Sequence, residues 1–312
     1  MPGPFDVIGI GAAALDIVNL VDHFPDHEEV QRARAVAVQG GGPVATALVA
    51  LARLGASTAM IDAIGDDWRS KIILEEFACE GVNTEAIKVY AGASATLATI
   101  LVQEETAERT IVYHPGSAGE PQPEDLPRFW IENARMIHIN GRHWAVCMQA
   151  VEWARESHVL VSFDGGANRF RPEMKELVPL TDICITARDF AEKHTQRQKI
   201  QHAGEVFLAE GPGLVVITDG TRGSWIFSKD GRMFHQPAYQ MPNVIDTTGC
   251  GDAYHGGFLF GLLQRWDLVR TASFASAVAA FNAGALGGRA GLPGLTEVQD
   301  FLLGSPKTIP VI

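Results

Sequence analysis

The segment Asp246-Thr247-Thr248-Gly249-Cys250-Gly251-Asp252-Ala253-Tyr254-His255-Gly256-Gly257 combines small residues, glycines and two carboxylates. It runs directly into the apolar stretch Phe258-Leu259-Phe260-Gly261-Leu262-Leu263, a pattern that predicts a helix. The first turn of such a helix carries unpaired backbone N–H groups. With the positive end of the helix dipole they make an anion site, and glycine lets the backbone close on a phosphate without a Cβ in the way. Asp252 is oddly placed there, because a carboxylate beside a bound phosphate repels it. Two readings are open. Asp252 caps the helix, or it takes the proton from a hydroxyl as a phosphoryl group arrives.

A site of this kind needs a scaffold, and the hydrophobic pattern predicts one. Short apolar runs at 7–10, 59–64, 136–139, 159–163, 182–185 and 214–218 read as strands. Helical patterns lie between them, 44–54 stopping at Gly55 and 70–80 stopping at Gly81, each glycine where a helix terminator belongs. Alternation of this kind implies parallel βαβ units and a three-layer, Rossmann-like α/β body with helices on both faces of a sheet. Residues 17–39 and 92–115 break the rhythm and read as extended, with period-two alternation at 97–102 and 110–113. They predict a small inserted sheet that covers a cleft as a lid. With no repeat or linker in view, 1–312 reads as one domain.

The segment DTTGCGDAYHGG resembles the C-terminal signature of the PfkB (ribokinase-like) carbohydrate kinases, usually written DTTGAGD. The likeness covers nearly the whole chain in the same order. Gly9-Ile10-Gly11 through Asp16 is similar to that family's first strand and substrate-binding aspartate. Gly40-Gly41-Gly42-Pro43-Val44-Ala45-Thr46-Ala47, with Leu54-Gly55, resembles its N-terminal signature. Ile64-Gly65-Asp66-Asp67 and Gly81-Val82 match the next segment, and Val215-Val216-Ile217-Thr218 with Gly220 and Gly223 resembles the nucleotide-binding strand and turn.

The resemblance implies a ribokinase-like fold with a β lid and an ATP-dependent sugar kinase, nucleosides being the alternative acceptors. It implies that Asp252 is the general base and that the N–H groups of Gly249, Cys250 and Gly251 stabilise the transferring phosphoryl group. It gives Asp16, Gly41 and Gly42 to the sugar, Thr218, Gly220 and Gly223 to the nucleotide, and Asn282 to the adenine side. Mg2+ would bridge ATP phosphates chiefly through water, with Asp189 as an indirect carboxylate. A monovalent cation such as K+ would sit by Asp246 and Thr248. Exposed lid edges invite pairing with a second lid, and so a homodimer.

The departures bear on substrate. Ala45 stands where many members carry a sugar-binding asparagine, Thr186-Ala187-Arg188-Asp189 replaces Asn-x-x-Glu, and Cys250 replaces the usual alanine. GGGPVATA and Gly287-Gly288-Arg289-Ala290-Gly291-Leu292-Pro293 resemble the sulfofructose kinase branch, and Ile137-His138-Ile139-Asn140-Gly141-Arg142 resembles ketohexokinase. Both point to a ketose or a ketose derivative. Arg142 follows a strand end, where α/β folds place ligand contacts; it binds the sugar tail or makes a surface ion pair. Val30 and Tyr113, where further polar contacts to a sulfonate would fall, are uncharged. Asp164-Gly165-Gly166-Ala167-Asn168-Arg169 resembles the family's Asp-x-Asn-x-Arg segment with one residue inserted, so that Arg169 meets phosphate or only shapes a turn. His138, His143 and His255 read as structural histidines.

Composition excludes other classes. Of 312 residues, 46% are hydrophobic and 20% charged, the balance of a globular enzyme. Net charge is −12, without the basic footprint of a nucleic-acid binder. Cys79, Cys147, Cys184 and Cys250 form no CxxC pair, which suits a reducing cytoplasm. The uncharged stretch 271–288 is rich in Ala, Ser and Gly and predicts a close-packed core helix, not a membrane span. No signal peptide is evident. Gly9-Ile10-Gly11-Ala12-Ala13-Ala14 also superficially fits a dinucleotide-binding turn, which would make the chain an oxidoreductase. That fingerprint needs a helix directly after the glycines.

Overall fold

The computed structural model describes residues 4–304. Among them the strands are β1 (Val7–Ile10), β2 (Ala14–Val21), β3 (Ala35–Gly41), β4 (Thr58–Gly65), β5 (Val82–Asn83), β6 (Ile87–Tyr90), β7 (Thr96–Gln103), β8 (Arg109–His114), β9 (Met136–Ile139), β10 (Leu160–Gly165), β11 (Ile183–Ala187), β12 (Leu214–Thr218), β13 (Ser224–Ser228) and β14 (Met233–Gln236). The helices are α1 (Pro43–Arg53), α2 (Trp68–Glu80), α3 (Arg128–Asn133), α4 (Trp144–Glu156), α5 (Met174–Leu177), α6 (Arg188–Thr195), α7 (Ile200–Glu210), α8 (Cys250–Leu263), α9 (Leu268–Asn282) and α10 (Leu295–Gly304).

The larger sheet runs β14-β13-β12-β11-β10-β9-β1-β4-β5, with β6 also on β4. From β12 to β5 every pairing is parallel, and β13 and β14 close one edge antiparallel. β1 and β4 are buried along their whole length, as strands covered on both faces must be. Alternate residues feed two cores. Val7 and Val216 pack with α1, α2, α8 and α9, whereas Ile8, Val215 and Ile217 pack with α4, α6 and α7. This is the expected three-layer α/β body. Parallel strands bring the C-terminal ends of β1, β9, β10, β11 and β12 to one edge, where such folds bind ligands.

Local signals end the elements as expected. α2 starts at Asp67, whose side chain accepts the Ser70 N–H, and stops at left-handed Gly81. The Ala- and Ser-rich stretch forms α9, with Ala272, Ala275 and Ala277 buried. The smaller sheet has the order β3-β2-β7-β8 and its own cluster of Val18, Ala98, Ile100 and Val102, against which Leu286 packs.

Two expectations change here. The first two strands of the second sheet lie between Ala14 and Gly41, so Asp16 lies in it and not in the first body strand; β1 ends at Ile10 and the chain crosses directly into β2. No helix follows Gly11, which removes the dinucleotide fingerprint and with it the oxidoreductase reading. No helix among the described residues is long and apolar enough to cross a membrane.

Candidate active site

The turn before α8 is built for an anion. Gly249 is the residue ahead of the helix, with φ 71°, and a Cβ on it would collide with the Gly288 backbone. Only glycine takes both the left-handed conformation and the close approach. No side chain caps this helix, so the capping reading of Asp252 fails. Asp252 occupies the third helical position, its side chain 18% exposed. Burial pushes its carboxyl up to about 6; Arg169 pulls it back, Asp164 pushes it further, and Arg109 and Arg289 pull it down. A carboxyl near 6 accepts a proton better than an ordinary aspartate and is still mostly ionised at neutral pH.

Arg169 joins two carboxylates. Its guanidinium lies 3.1 Å from Asp164 Oδ2 and 3.9 Å from Asp252 Oδ1. Asp164, at the end of β10, also faces His255 Nε2 at 3.7 Å, one helical turn beyond Asp252. His138 stacks obliquely on His255, with ring centroids 5.4 Å apart, and donates to or accepts from Ser162 Oγ at 3.1 Å. His143 bonds Asp62 Oδ1 at 2.8 Å through Nε2. All three histidines are buried, as structural residues would be, yet each leaves one ring nitrogen without a hydrogen-bond partner.

At the other end of the cleft, Asp16 is buried on β2 beside Gly41, where a Cβ would run into its carboxylate. Burial pushes Asp16 up to about 6 against the pull of Arg289, with Asp252, Glu76 and Asp246 pushing the same way as burial. Gly42, with φ 95°, precedes α1, and Pro43 fits its first turn. Ala45 is fully buried in the core face of α1. Arg142 is exposed after β9 and makes no ion pair among the described residues, which removes the surface-pair reading. The loop that presents it is fixed at His143, which holds Asp62, while Asp62 Oδ2 accepts the Ala13 N–H on the crossover to Asp16.

At the end of β12, Thr218 donates to the Thr186 carbonyl at 3.3 Å. Gly220 and Gly223 bound a short 3-10 turn, and Asp219 ties down Arg188 and Arg222. Asp189, in the first turn of α6, accepts the Asn168 N–H at 2.7 Å and so supports the loop that carries Arg169. Asn282 is fully buried and donates to the Thr248 carbonyl at 3.0 Å. It braces the anion turn from behind. Burial pushes the Cys250 thiol up to about 12, which leaves it unreactive.

The donor sets fit the implied ions. Asp246 is fully buried; its two oxygens accept the Thr248 and Gly287 N–H groups at 2.8 Å, and it has no cationic partner among the described residues. Thr248 Oγ1 and Asn282 Oδ1 are buried oxygens without partners close by. A monovalent cation would balance that charge. Among the described residues no three His, Cys, Asp or Glu side chains converge on a metal. A divalent ion held by phosphate and water needs no more than the single carboxylate of Asp189.

Four contributors escaped the sequence reading: Arg289, Glu76, Arg109 and Asp62. Arg109, from β8, donates to Thr247 Oγ1 at 2.6 Å and so brings the second sheet onto the phosphate turn. Arg289 carries the one signal that could have revealed it, a charge within a run of small, uncharged residues.

Comparison with known proteins agrees with this geometry. Residues 5–294 match the profile of the pfkB family of carbohydrate kinases. A nucleoside kinase of Methanothermobacter thermautotrophicus is 27% identical over 280 residues, 88% of each chain. A 5-dehydro-2-deoxygluconokinase of Clostridium botulinum is 25% identical, covering 96% of this chain and 93% of its own. Ribokinase of Arabidopsis thaliana, solved with ribose and ATP, shares the fold with a TM-score of 0.83 at 20% identity, over 98% of this chain and all of its own. Anion turn, buried carboxylates and family match converge: the chain belongs to the pfkB family of carbohydrate kinases, phosphotransferases acting on sugar hydroxyls.

Proposed function

We propose that the chain transfers the γ-phosphoryl group of Mg·ATP to a hydroxyl of a ketose or ketose derivative. The observation that carries this reading is the raised Asp252 carboxyl in the first turn of α8, beside the Gly249 and Gly251 N–H groups, which have no backbone acceptor among the described residues, and a Cys250 N–H held only by a long 3.4 Å bond to the Thr247 carbonyl. Asp16 and the Gly41 and Gly42 backbone hold the sugar hydroxyls, and Arg142 reaches its tail. Asp252 takes the proton of the acceptor hydroxyl as the new P–O bond forms and the β–γ bond breaks, releasing ADP. The N–H groups of Gly249, Cys250 and Gly251 neutralise charge on the phosphoryl oxygens in flight. Arg169 and Arg109 add positive charge on that side. Mg2+ supplies charge neutralisation on the phosphates when bound, and Asp189 orients its water shell. Thr218, Gly220 and Gly223 line the nucleotide, and Asp246 and Thr248 would hold K+, which would balance the buried Asp246 charge.

The second sheet acts as the lid, and a homodimer forms through it. Val36, Val38, Ile111, Val112 and Tyr113 expose apolar surface there, and β3 and β8 are open edges. Sedimentation as a monomer at assay concentration would refute the dimer. Four free thiols and dependence on ATP favour the cytoplasm.

A second reading, a nucleoside acceptor, is favoured by the likeness to the archaeal nucleoside kinase. ADP release with Mg·ATP across ketoses including sulfofructose, aldoses, sugar acids and nucleosides separates the two. A ketose acceptor supports the proposal, and a nucleoside as best acceptor replaces it.

A further inference from the structure

Arg289 has the largest side chain among the fully buried residues, at 1% exposure. Every arm of its guanidinium is used. Nε donates to Thr46 Oγ1 on α1 at 3.1 Å, Nη1 to Glu76 Oε1 on α2 at 3.0 Å, and Nη2 to the Gly41 carbonyl on β3 at 2.9 Å. Its backbone N–H reaches Gln39 Oε1, and its guanidinium lies 5.3 Å from the Phe77 ring centre. Glu76 completes the clamp, because its other oxygen accepts the Gly40 N–H. A Cβ on Gly40 would strike the guanidinium, so Arg289 in this position requires glycine at 40.

The loop that carries Arg289 also serves the phosphate end. Gly287 donates to Asp246, and the Gly288 backbone packs on Gly249. One short segment thus touches the anion turn with Gly287 and Gly288 and the sugar strand with Arg289.

We propose that Arg289, clamped by Glu76, is a positioning residue for the sugar end of the cleft: it fixes the Gly40 and Gly41 backbone beside Asp16 and supplies the positive charge that keeps Asp16 a hydrogen-bond acceptor. This rests on the reading of Asp16 as a sugar ligand. The charges that act on Asp16 are those of Arg289 in the loop after α9, Glu76 on α2, Asp246 in the loop before α8 and Asp252 on α8. Arg289 is the only cation in that set. Without it, three carboxylates and burial all act to protonate Asp16, and a protonated Asp16 loses acceptor capacity for sugar hydroxyls. A merely structural staple would hold α1, α2 and β3 together without governing Asp16.

The test titrates Asp16 in the full-length protein labelled with 13C at aspartate carboxyl carbons, the signal being assigned by its loss in Asp16→Asn. It needs no acceptor. In the wild type the midpoint is expected at about 6. Arg289→Met is expected to raise it by about one pH unit or more, Arg289→Lys to keep it near the wild-type value, and Glu76→Gln to lower it. Opposite shifts in Arg289→Met and Glu76→Gln support the proposal. An unchanged midpoint in folded Arg289→Met, or shifts of the same sign, overturns it. Should Arg289→Met not fold, Arg289→Gln, which keeps a hydrogen-bonding amide without the charge, decides: an unchanged midpoint overturns the proposal. Failure of the sugar-site reading is separately visible, as an Asp16→Asn enzyme whose acceptor KM is unchanged.

Discussion

Replacing Asp252 by asparagine is expected to move stability and activity in opposite directions. Burial raises this carboxyl from 3.8 to about 6, so the fold holds its ionised form at a cost that the unfolded chain does not bear. Roughly two units at about 1.4 kcal/mol each give about 3 kcal/mol, and partial solvent screening lowers that to about 1–3 kcal/mol. The sign follows from the direction of the shift. The cost is present in full above pH about 6, where the folded carboxyl is ionised, and gone below the unfolded value of 3.8. Asparagine carries no charge at any pH. The variant is therefore expected to melt roughly 2–6 °C higher at pH 8, with the gain fading toward pH 4. Over the same substitution, loss of the proton acceptor lowers turnover about 10²–10⁴-fold. Circular-dichroism melts at pH 8, 6 and 4, run beside ADP release, measure both. A variant no more stable than wild type at pH 8, or a gain that grows as pH falls, refutes the burial argument.

Gly41→Ala puts a methyl group into the Asp16 carboxylate, so the acceptor KM is expected to rise while the Mg·ATP KM stays put; steady-state kinetics in both substrates check this. His143→Ala leaves the buried Asp62, whose carboxyl burial already pushes up, without its 2.8 Å partner, and is expected to cost about 1–3 kcal/mol by denaturant titration. With Asp16 and Asp252 both near 6 and both needed ionised, kcat/KM is expected to fall as pH drops through 6, more steeply than for one group; a pH–rate profile with a single-group slope contradicts this. Exchanging K+ for a bulky organic cation is expected to lower turnover, read by coupled assay, and an unchanged rate removes the cation from Asp246.

The strands at 7–10, 136–139 and 214–218 coincide with β1, β9 and β12, because short apolar runs rich in Val and Ile have few alternatives in a parallel sheet. The phosphate turn was equally legible, since glycine spacing and the helix that follows are local. Asp16 was legible as a residue but not in its place, as a crossing of three residues leaves no periodicity to mark where β2 starts. The bond of Asn282 to the Thr248 carbonyl was not legible, because a helix-terminal amide looks the same in sequence whether it faces a ligand or a carbonyl behind the turn. The clamp of Arg289 with Glu76, and the pair of Asp62 with His143, join residues 213 and 81 positions apart. Each charge is ordinary in its own segment, and only the packing of α2 against β3 and of β4 beside the β9 loop makes them partners.

The most direct test of the account is 31P NMR of the protein with Mg·ATP and its best acceptor, wild type beside Asp252→Asn. The account predicts a sugar phosphomonoester resonance growing in step with ADP in the wild type and absent from the variant over the same time. Inorganic phosphate in place of the ester, or transfer undiminished in Asp252→Asn, would contradict it.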